Sequence, residues 1–437
     1  MAETLLSRRG HEEGRNGAAE HQVWEVSANQ WDPSTNPSGY VSLGIAENSL
    51  MHNELEQFLR SKPLVDASAK ALTYADGPSG SKPATTAIAS FLNTYFHPVQ
   101  PVQPDHLMLT NGVSSAIEHS TWALADPGEG ILLGRPYYRA FLPDISMRTG
   151  VKVVQVTFGD IDPCGPDCVA KYEESLLRSN AEGTKVRALM LCHPHNPLGR
   201  CYSRDTIVGL MKLCQKYRIH LISDEIYALS VWENIVDRLE TPPMPFESVL
   251  SIATKDIIDP ALVHALWGFS KDFGANGIRI GAIVSQNNIA FLTACRTCGI
   301  YSSPSSLAEN VAVAILSDST FLASYISTNQ KRLSAAHAHA VNLLREFEIE
   351  YLPGTNAAFF LWINLGQKYL QNLGDAAKGR PMEKITDEIF QRLMKKKVYL
   401  VLGDAAGAEQ PGWFRMVFSQ PPESVKEGLK RVMEALN

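Results

Sequence analysis

Runs of consecutive apolar residues, separated by amphipathic stretches, dominate the middle of this chain. HLMLTNG (106–112), GILLGRP (130–136), VKVVQVTF (151–158), VRALMLCHP (186–194), RIHLISDEIYA (218–228) and VHALWGFS (263–270) are continuous rather than alternating. Continuous runs suit strands buried on both faces of a mostly parallel sheet; alternation would signal one wet face. Between several of them lie helical patterns such as VSSAIEHSTWALA and SRDTIVGLMKLCQKY. The repeated strand–helix order predicts a large α/β domain, its central sheet flanked by helices, over residues 60–310. Further on, a helix-rich stretch gives way to AAFFLWINL, VYLVLG and WFRMVFS, which read as strands, and then to a closing helix. These predict a smaller α+β domain over 311–437, completed by part of residues 1–59, whose first stretch, MAETLLSRRGHEEGRNGAAEHQ, reads as a loose arm.

In open α/β sheets, functional residues gather at the carboxyl ends of the strands. The residues just after the apolar runs are Asn111-Gly112, Pro136-Tyr137-Tyr138, His195-Asn196-Pro197, Asp224-Glu225-Ile226-Tyr227 and Ser270-Lys271. One sheet edge thus collects a carboxylate, an amide, phenols and a lysine. A metal would instead want several His, Cys or carboxylate ligands.

Composition narrows the class. With 45% hydrophobic and 20% charged residues the chain reads as a soluble globular enzyme or binding protein. A net charge of −6 offers no general attraction to nucleic acid or an anionic membrane. No apolar run approaches the roughly 20 residues needed to cross a bilayer. Seven cysteines, among them Cys164/Cys168 and Cys295/Cys298, read as reduced thiols rather than a disulfide framework or a zinc site. With no apolar leader, the expectation is a cytoplasmic protein.

The segment LWGFSKDFGANGIRIG (266–281) places Lys271 eight positions before Arg279. Two cations so close repel unless an anion, or a covalent bond, occupies one of them. The ordered set HNPLG, SDEIY and SKDFGANGIRIG resembles the fold-type I pyridoxal 5′-phosphate enzymes of the aspartate aminotransferase superfamily, class I/II. The resemblance runs from LGIAENSL (43–50) to WFRMVF (413–418). It implies that Lys271 holds the cofactor covalently through its amine and later acts as the base at the substrate Cα. Asp224 would keep the cofactor ring nitrogen protonated, while Asn196 and Tyr227 would donate to the ring oxygen. Val113 and Ser114 at a helix start, Ser270 and Arg279 would bind the phosphate. Tyr138, or its neighbour Tyr137, would stack on the ring. Tyr74 would reach the phosphate of a partner subunit in a homodimer, and Arg415 would grip the substrate α-carboxylate. One departure stands out: Gly268 occupies the place of a serine that usually binds the phosphate, leaving the phosphate cup one contact short unless Ser270 takes part differently.

Within the superfamily, LGIAENSL and SDEIYALSVW look most like 1-aminocyclopropane-1-carboxylate synthases and their relatives, and Glu47 matches an active-site glutamate of that group. The implied reaction on a small amino-acid substrate is carbon–sulfur cleavage. It would be α,γ-elimination on S-adenosylmethionine, or β-elimination from a cysteine conjugate in specialised biosynthesis. An aminotransferase is the alternative, and a non-catalytic cofactor-binding paralogue a further one. The motifs do not separate the two eliminations.

Overall fold

The computed structural model describes residues 5–65, 70–74, 76–239, 242–377 and 379–437. The chain opens with helix α1 (Arg8–Ala28), so the stretch read as a loose arm is helical from Arg8 onward. Ser7 caps it, its hydroxyl accepting from Gly10 N at 3.1 Å, and in its last turn Val26 is fully buried with Met394, Tyr399 and Val401. After strand β1 (Val41–Ser42) come α2 (His52–Arg60) and α3 (Lys82–Tyr95).

The six apolar runs all form strands: β2 (Leu107–Asn111), β3 (Gly130–Gly134), β4 (Lys152–Val156), β5 (Val186–Cys192), β6 (His220–Asp224) and β7 (Val263–Gly268). Between them lie α4 (Val113–Leu124), α5 (Phe141–Ser146), α6 (Cys168–Ala181) and α7 (Arg204–Tyr217). After β7, the short helix α8 (Phe269–Asp272) leads to a seventh strand, β8 (Ile280–Val284). The sheet order is β2-β8-β7-β6-β5-β3-β4. It is parallel from β7 to β4, while β8 runs antiparallel to both β7 and β2. Alternate residues serve two apolar cores, Met190 and Ile222 in one, Leu189 and Leu221 in the other. Burial of both sets is why these strands read as continuous apolar runs.

Next come α9 (Ile289–Ser302), α10 (Ser306–Ser317) and the long α11 (Ser319–Glu346). The C-terminal part holds β9 (Glu350–Tyr351), β10 (Phe360–Asn364), α12 (Leu365–Leu373), α13 (Met382–Lys395), β11 (Val398–Tyr399), β12 (Val401–Leu402), β13 (Trp413–Val417) and α14 (Pro422–Leu436). Strands β12-β13-β10-β9 form a second, antiparallel sheet. The VYLVLG run splits, because β11 pairs in parallel with β1 and draws the N-terminal segment onto this part. Among the described residues no single helix is long and apolar enough to cross a membrane.

Candidate active site

Three glycines at the carboxyl edge of the large sheet bring the candidate residues together. Gly268 at the end of β7 lies in register with Gly281 of β8, and Gly281 with Thr110 of β2. A Cβ on Gly281 would stand 2.5 Å from the carbonyl carbon of Gly112. Gly112, at φ 79°, immediately precedes α4, and a Cβ there would overlap the Arg279 guanidinium. Only glycine allows this approach, which seats Arg279 against the first turn of α4. Arg279 donates to Asn276 O at 3.0 Å and lies 3.5 Å from Ser270 Oγ. The start of α4 has no side-chain cap, so the N–H groups of Val113 and Ser114 and the arginine together form a cradle for an anion.

Gly268 is thereby explained. A Cβ at this position would meet Ile280 O at 2.5 Å and Val113 Cγ2 at 3.0 Å. A serine does not fit unless β8 moves, and Ser270, 6% exposed, is the hydroxyl beside Arg279 instead.

Lys271 sits in the one-turn helix α8, and Asp272 pins that turn from behind. The Asp272 carboxylate accepts from Trp267 Nε1 at 3.1 Å, Ser230 Oγ at 2.8 Å and Leu229 N at 3.2 Å. Lys271 Nζ donates to Ala46 O at 2.6 Å, so the AENSL segment lies directly over the amine. Burial drives the Lys271 pKa down to about 7; Arg415 and Arg279 add to the shift, and Glu47 and Asp224 oppose it.

Asp224 ends β6, 4% exposed, and accepts from Ile226 N at 3.3 Å. No salt-bridge partner reaches it among the described residues. Burial pushes its carboxyl up to about 7, with Asp144 adding and Lys271 opposing. A buried carboxyl left without a cation fits a protonated ring nitrogen. Tyr227 is 2% exposed, packs edge-on to Phe359 and Phe360, and is held well above the usual phenol range by burial. It is therefore a donor, not a phenolate.

The two candidate stacking tyrosines part company. Tyr137 is tied to the C-terminal part: its N–H donates to Ala406 O at 2.7 Å, and a Cβ on Gly407 would stand 2.5 Å from its ring. Tyr138 instead shares its surroundings with Asp144, Arg415 and Asp224, and its hydroxyl pKa rises to about 12, chiefly by burial. Tyr138 is the tyrosine at the site.

Arg415, on β13, closes the site from the smaller sheet. It donates to Asn196 Oδ1 at 3.0 Å and to Gly44 O at 2.7 Å, and lies over the Phe360 ring at 4.9 Å. Its Nε is buried with no partner among the described residues. A buried, unspent donor on a guanidinium fits a carboxylate ligand. Glu47 is fastened by its backbone, its carbonyl accepting from Ser419 Oγ at 2.8 Å and Gln420 Nε2 at 3.1 Å, while its charge acts on Lys271. Tyr74 stands apart from this cluster and is 98% exposed.

Two elements of the site had no signal in the sequence reading. The carbonyls of Gly44 and Ala46, which hold Arg415 and Lys271, are backbone groups that any residue supplies. Asp144, on α5, carries its charge into the site beside Ser114 and Arg279. Its only sequence mark is a carboxylate within the apolar FLPDI. The seven cysteines are free and buried, and no cluster of metal-ligating side chains occurs among the described residues.

Comparison with known proteins gives a consistent answer. The family model for aminotransferase class I and II matches residues 38–432. The 1-aminocyclopropane-1-carboxylate synthase-like protein 1 of Homo sapiens is 31% identical over 429 residues, covering 96% of this chain and 80% of the relative. The probable aminotransferase sirI of Leptosphaeria maculans is 31% identical over 397 residues, covering 91% of each. Among solved structures, a Thermus thermophilus aspartate aminotransferase double mutant superposes with a TM-score of 0.72 at 18% identity, covering 99% of this chain and 100% of that one; it shares the fold.

Proposed function

This chain belongs to the class I and II aminotransferase family of pyridoxal 5′-phosphate enzymes, and from that premise we propose that it cleaves a carbon–sulfur bond in an amino-acid substrate. The substrate is S-adenosylmethionine, by α,γ-elimination, or a cysteine S-conjugate, by β-elimination. The observation that carries this reading is Glu47, a carboxylate whose charge acts on Lys271 beside the Arg415 grip. A carboxylate there favours a cationic sulfonium, or a leaving sulfur that must be steadied, and disfavours the second carboxylate of a dicarboxylic amino acid. The synthase-like relative supports the same class.

When bound, the cofactor draws electrons away from the substrate Cα through its protonated ring nitrogen. Asp224 holds the proton on that nitrogen, and Asn196 and Tyr227 donate to the ring oxygen. Val113, Ser114, Ser270 and Arg279 hold the phosphate, and Tyr138 covers the ring. Arg415 presents its guanidinium to the α-carboxylate, which fixes the Cα–H bond toward Lys271. Lys271, drawn toward neutrality, takes that proton. Elimination then needs Lys271 not to return the proton elsewhere before the sulfur leaves, and Glu47 lies beside Lys271 to assist that departure. Tyr74 completes the phosphate site of a second copy, which makes the active unit a homodimer. The seven buried thiols fit work in the reducing cytoplasm.

One observation favours transamination as the second reading. Arg139 also acts on Arg415 and Tyr138, and a second cation near the grip would suit a dicarboxylate. Incubating the holoenzyme separately with S-adenosylmethionine, a cysteine S-conjugate, and an amino acid plus a 2-oxo acid separates them. Mass spectrometry should find a thiol or thioether product without added oxo acid. Product only from the amino-acid and oxo-acid pair would establish the aminotransferase.

A further inference from the structure

Ala46 O accepts two hydrogen bonds, one from Lys271 Nζ at 2.6 Å and one from Asn276 Nδ2 at 3.2 Å. Both donors belong to the stretch between β7 and β8. Among the described residues, the hydrogen bonds that cross from 43–49 to that stretch all end on this one carbonyl. Elsewhere the segment is fastened to the C-terminal part: Leu43 N donates to Tyr399 O, Val417 N to Leu43 O, and Ser49 N to Ser419 O. Asn48 Nδ2 reaches Asn329 Oδ1 on α11. Ala46 O is therefore the point at which the segment carrying Glu47 is clasped to the lysine.

On the reading above, one of the two donors does not last. When the Lys271 amine captures an aldehyde, its two hydrogens leave with the aldehyde oxygen as water, and the bond to Ala46 O goes with them. Asn276 keeps its donor throughout. Its amide is fixed in orientation, since turning over would set Oδ1 against Ala46 O, a second acceptor. Oδ1 itself is buried without a partner among the described residues, so Nδ2 alone ties the side chain. The backbone carbonyl of the same residue accepts from Arg279 Nη1 at 3.0 Å, which joins the anion cradle to the segment above the lysine.

We propose that Asn276 is a positioning residue for the reaction: it keeps the 43–49 segment, and with it Glu47, over Lys271 once the amine is spent. This role presupposes that Lys271 is the residue the cofactor takes. One donor suffices for a buried carbonyl, whereas losing both leaves it orphaned at the full desolvation cost. The two clasps therefore stand in for each other. Either alone holds the segment, and removal of both frees it.

Hydrogen–deuterium exchange of peptides spanning 43–50 reads the clasp directly. In the cofactor-free chain, Asn276→Ala and Lys271→Met should each exchange within about twofold of wild type. The double variant should exchange roughly five- to tenfold faster. With pyridoxal phosphate fixed by borohydride, the wild type should stay protected and Asn276→Ala should show that same rise. Asn276→Leu, which keeps the outline of the side chain without its amide, should behave as Asn276→Ala, with exchange in β5 as the control for an intact fold. A residue that merely supported the fold would give the same rise whether the amine is free or spent. That result, or no rise in the double variant, would overturn the proposal alone. Failure of borohydride to fix the cofactor on Lys271 would overturn the cofactor reading and the proposal with it.

Discussion

Arg415 Nη1 donates to Asn196 Oδ1 across 3.0 Å, joining a strand of the smaller sheet to the loop that follows β5 in the larger one. The arginine proposed to grip the substrate and the amide proposed to steady the cofactor ring are thus joined directly. On that proposal, an α-carboxylate bound at Arg415 would be felt at the ring through a single hydrogen bond. Arg415→Lys retains the charge but loses the planar fork that reaches Asn196, Gly44 and the substrate at once. The loss of one or two charge-assisted bonds predicts a fall in kcat/KM of roughly 10- to 100-fold, with KM rising. Steady-state kinetics on the best substrate checks this, and an unchanged KM would show that Arg415 does not hold the carboxylate.

Gly268→Ser should not restore a phosphate contact. Its Cβ would press on Ile280 O at 2.5 Å, a backbone atom of a paired strand that has little freedom to move. The change should cost about 1–3 kcal/mol of stability, seen as a lowered Tm, and should weaken cofactor retention. Tighter cofactor binding with unchanged Tm would mean that β8 yields where the packing says it does not.

Capture of the cofactor aldehyde by Lys271 needs the neutral amine, so its rate should follow the lysine's titration. With the amine brought down to about 7, capture should be slow in mild acid and reach a plateau just above neutrality. Glu47 is the principal group holding the lysine protonated, so Glu47→Gln should move the midpoint to lower pH. Stopped-flow absorbance on the cofactor-free chain gives the profile, and borohydride trapping with peptide mapping identifies the residue. A midpoint near the ordinary lysine value of 10.5, or an adduct on another lysine, would contradict the site described.

What could be read from residues alone divides along physical lines. The strands from Leu107 to Gly268 were legible because burial on both faces leaves continuous apolar runs. Lys271, Asp224 and Arg279 were legible because each follows or precedes such a run in a distinctive order. The reversal of β8 was not, since IGAIV is equally apolar in a parallel or antiparallel strand. Nor was α1, whose described side chains are mostly exposed and whose apolar packing is confined to Val23 and Val26 near its end. The choice between Tyr137 and Tyr138 needed Gly407, a residue 269 positions beyond Tyr138 whose contact with Tyr137 exists only in three dimensions (407 − 138 = 269). Asp144 escaped notice because the groups that act on its carboxyl, such as Arg279, are distant from it in sequence.

Tyr74 is 98% exposed, and two positions before it Leu72 is 78% exposed. A large phenol left wholly in water beside an exposed leucine is what a subunit interface presents before its partner arrives. If Tyr74 reaches the phosphate of the other subunit, each site draws on two chains. Tyr74→Phe and Lys271→Ala should each be severely impaired alone, one lacking the donor to its neighbour and the other the base. Mixed, unfolded gently and reassociated, they should regain activity, because one of the two sites in a hybrid receives both native residues. Random pairing makes about half of the dimers hybrid, each with one intact site, so recovery should approach about one quarter of the wild-type rate per chain. Light scattering should report a dimer at working concentration. Full activity in a monomer, or no recovery on mixing two variants that are each inactive, would place Tyr74 outside the active site altogether.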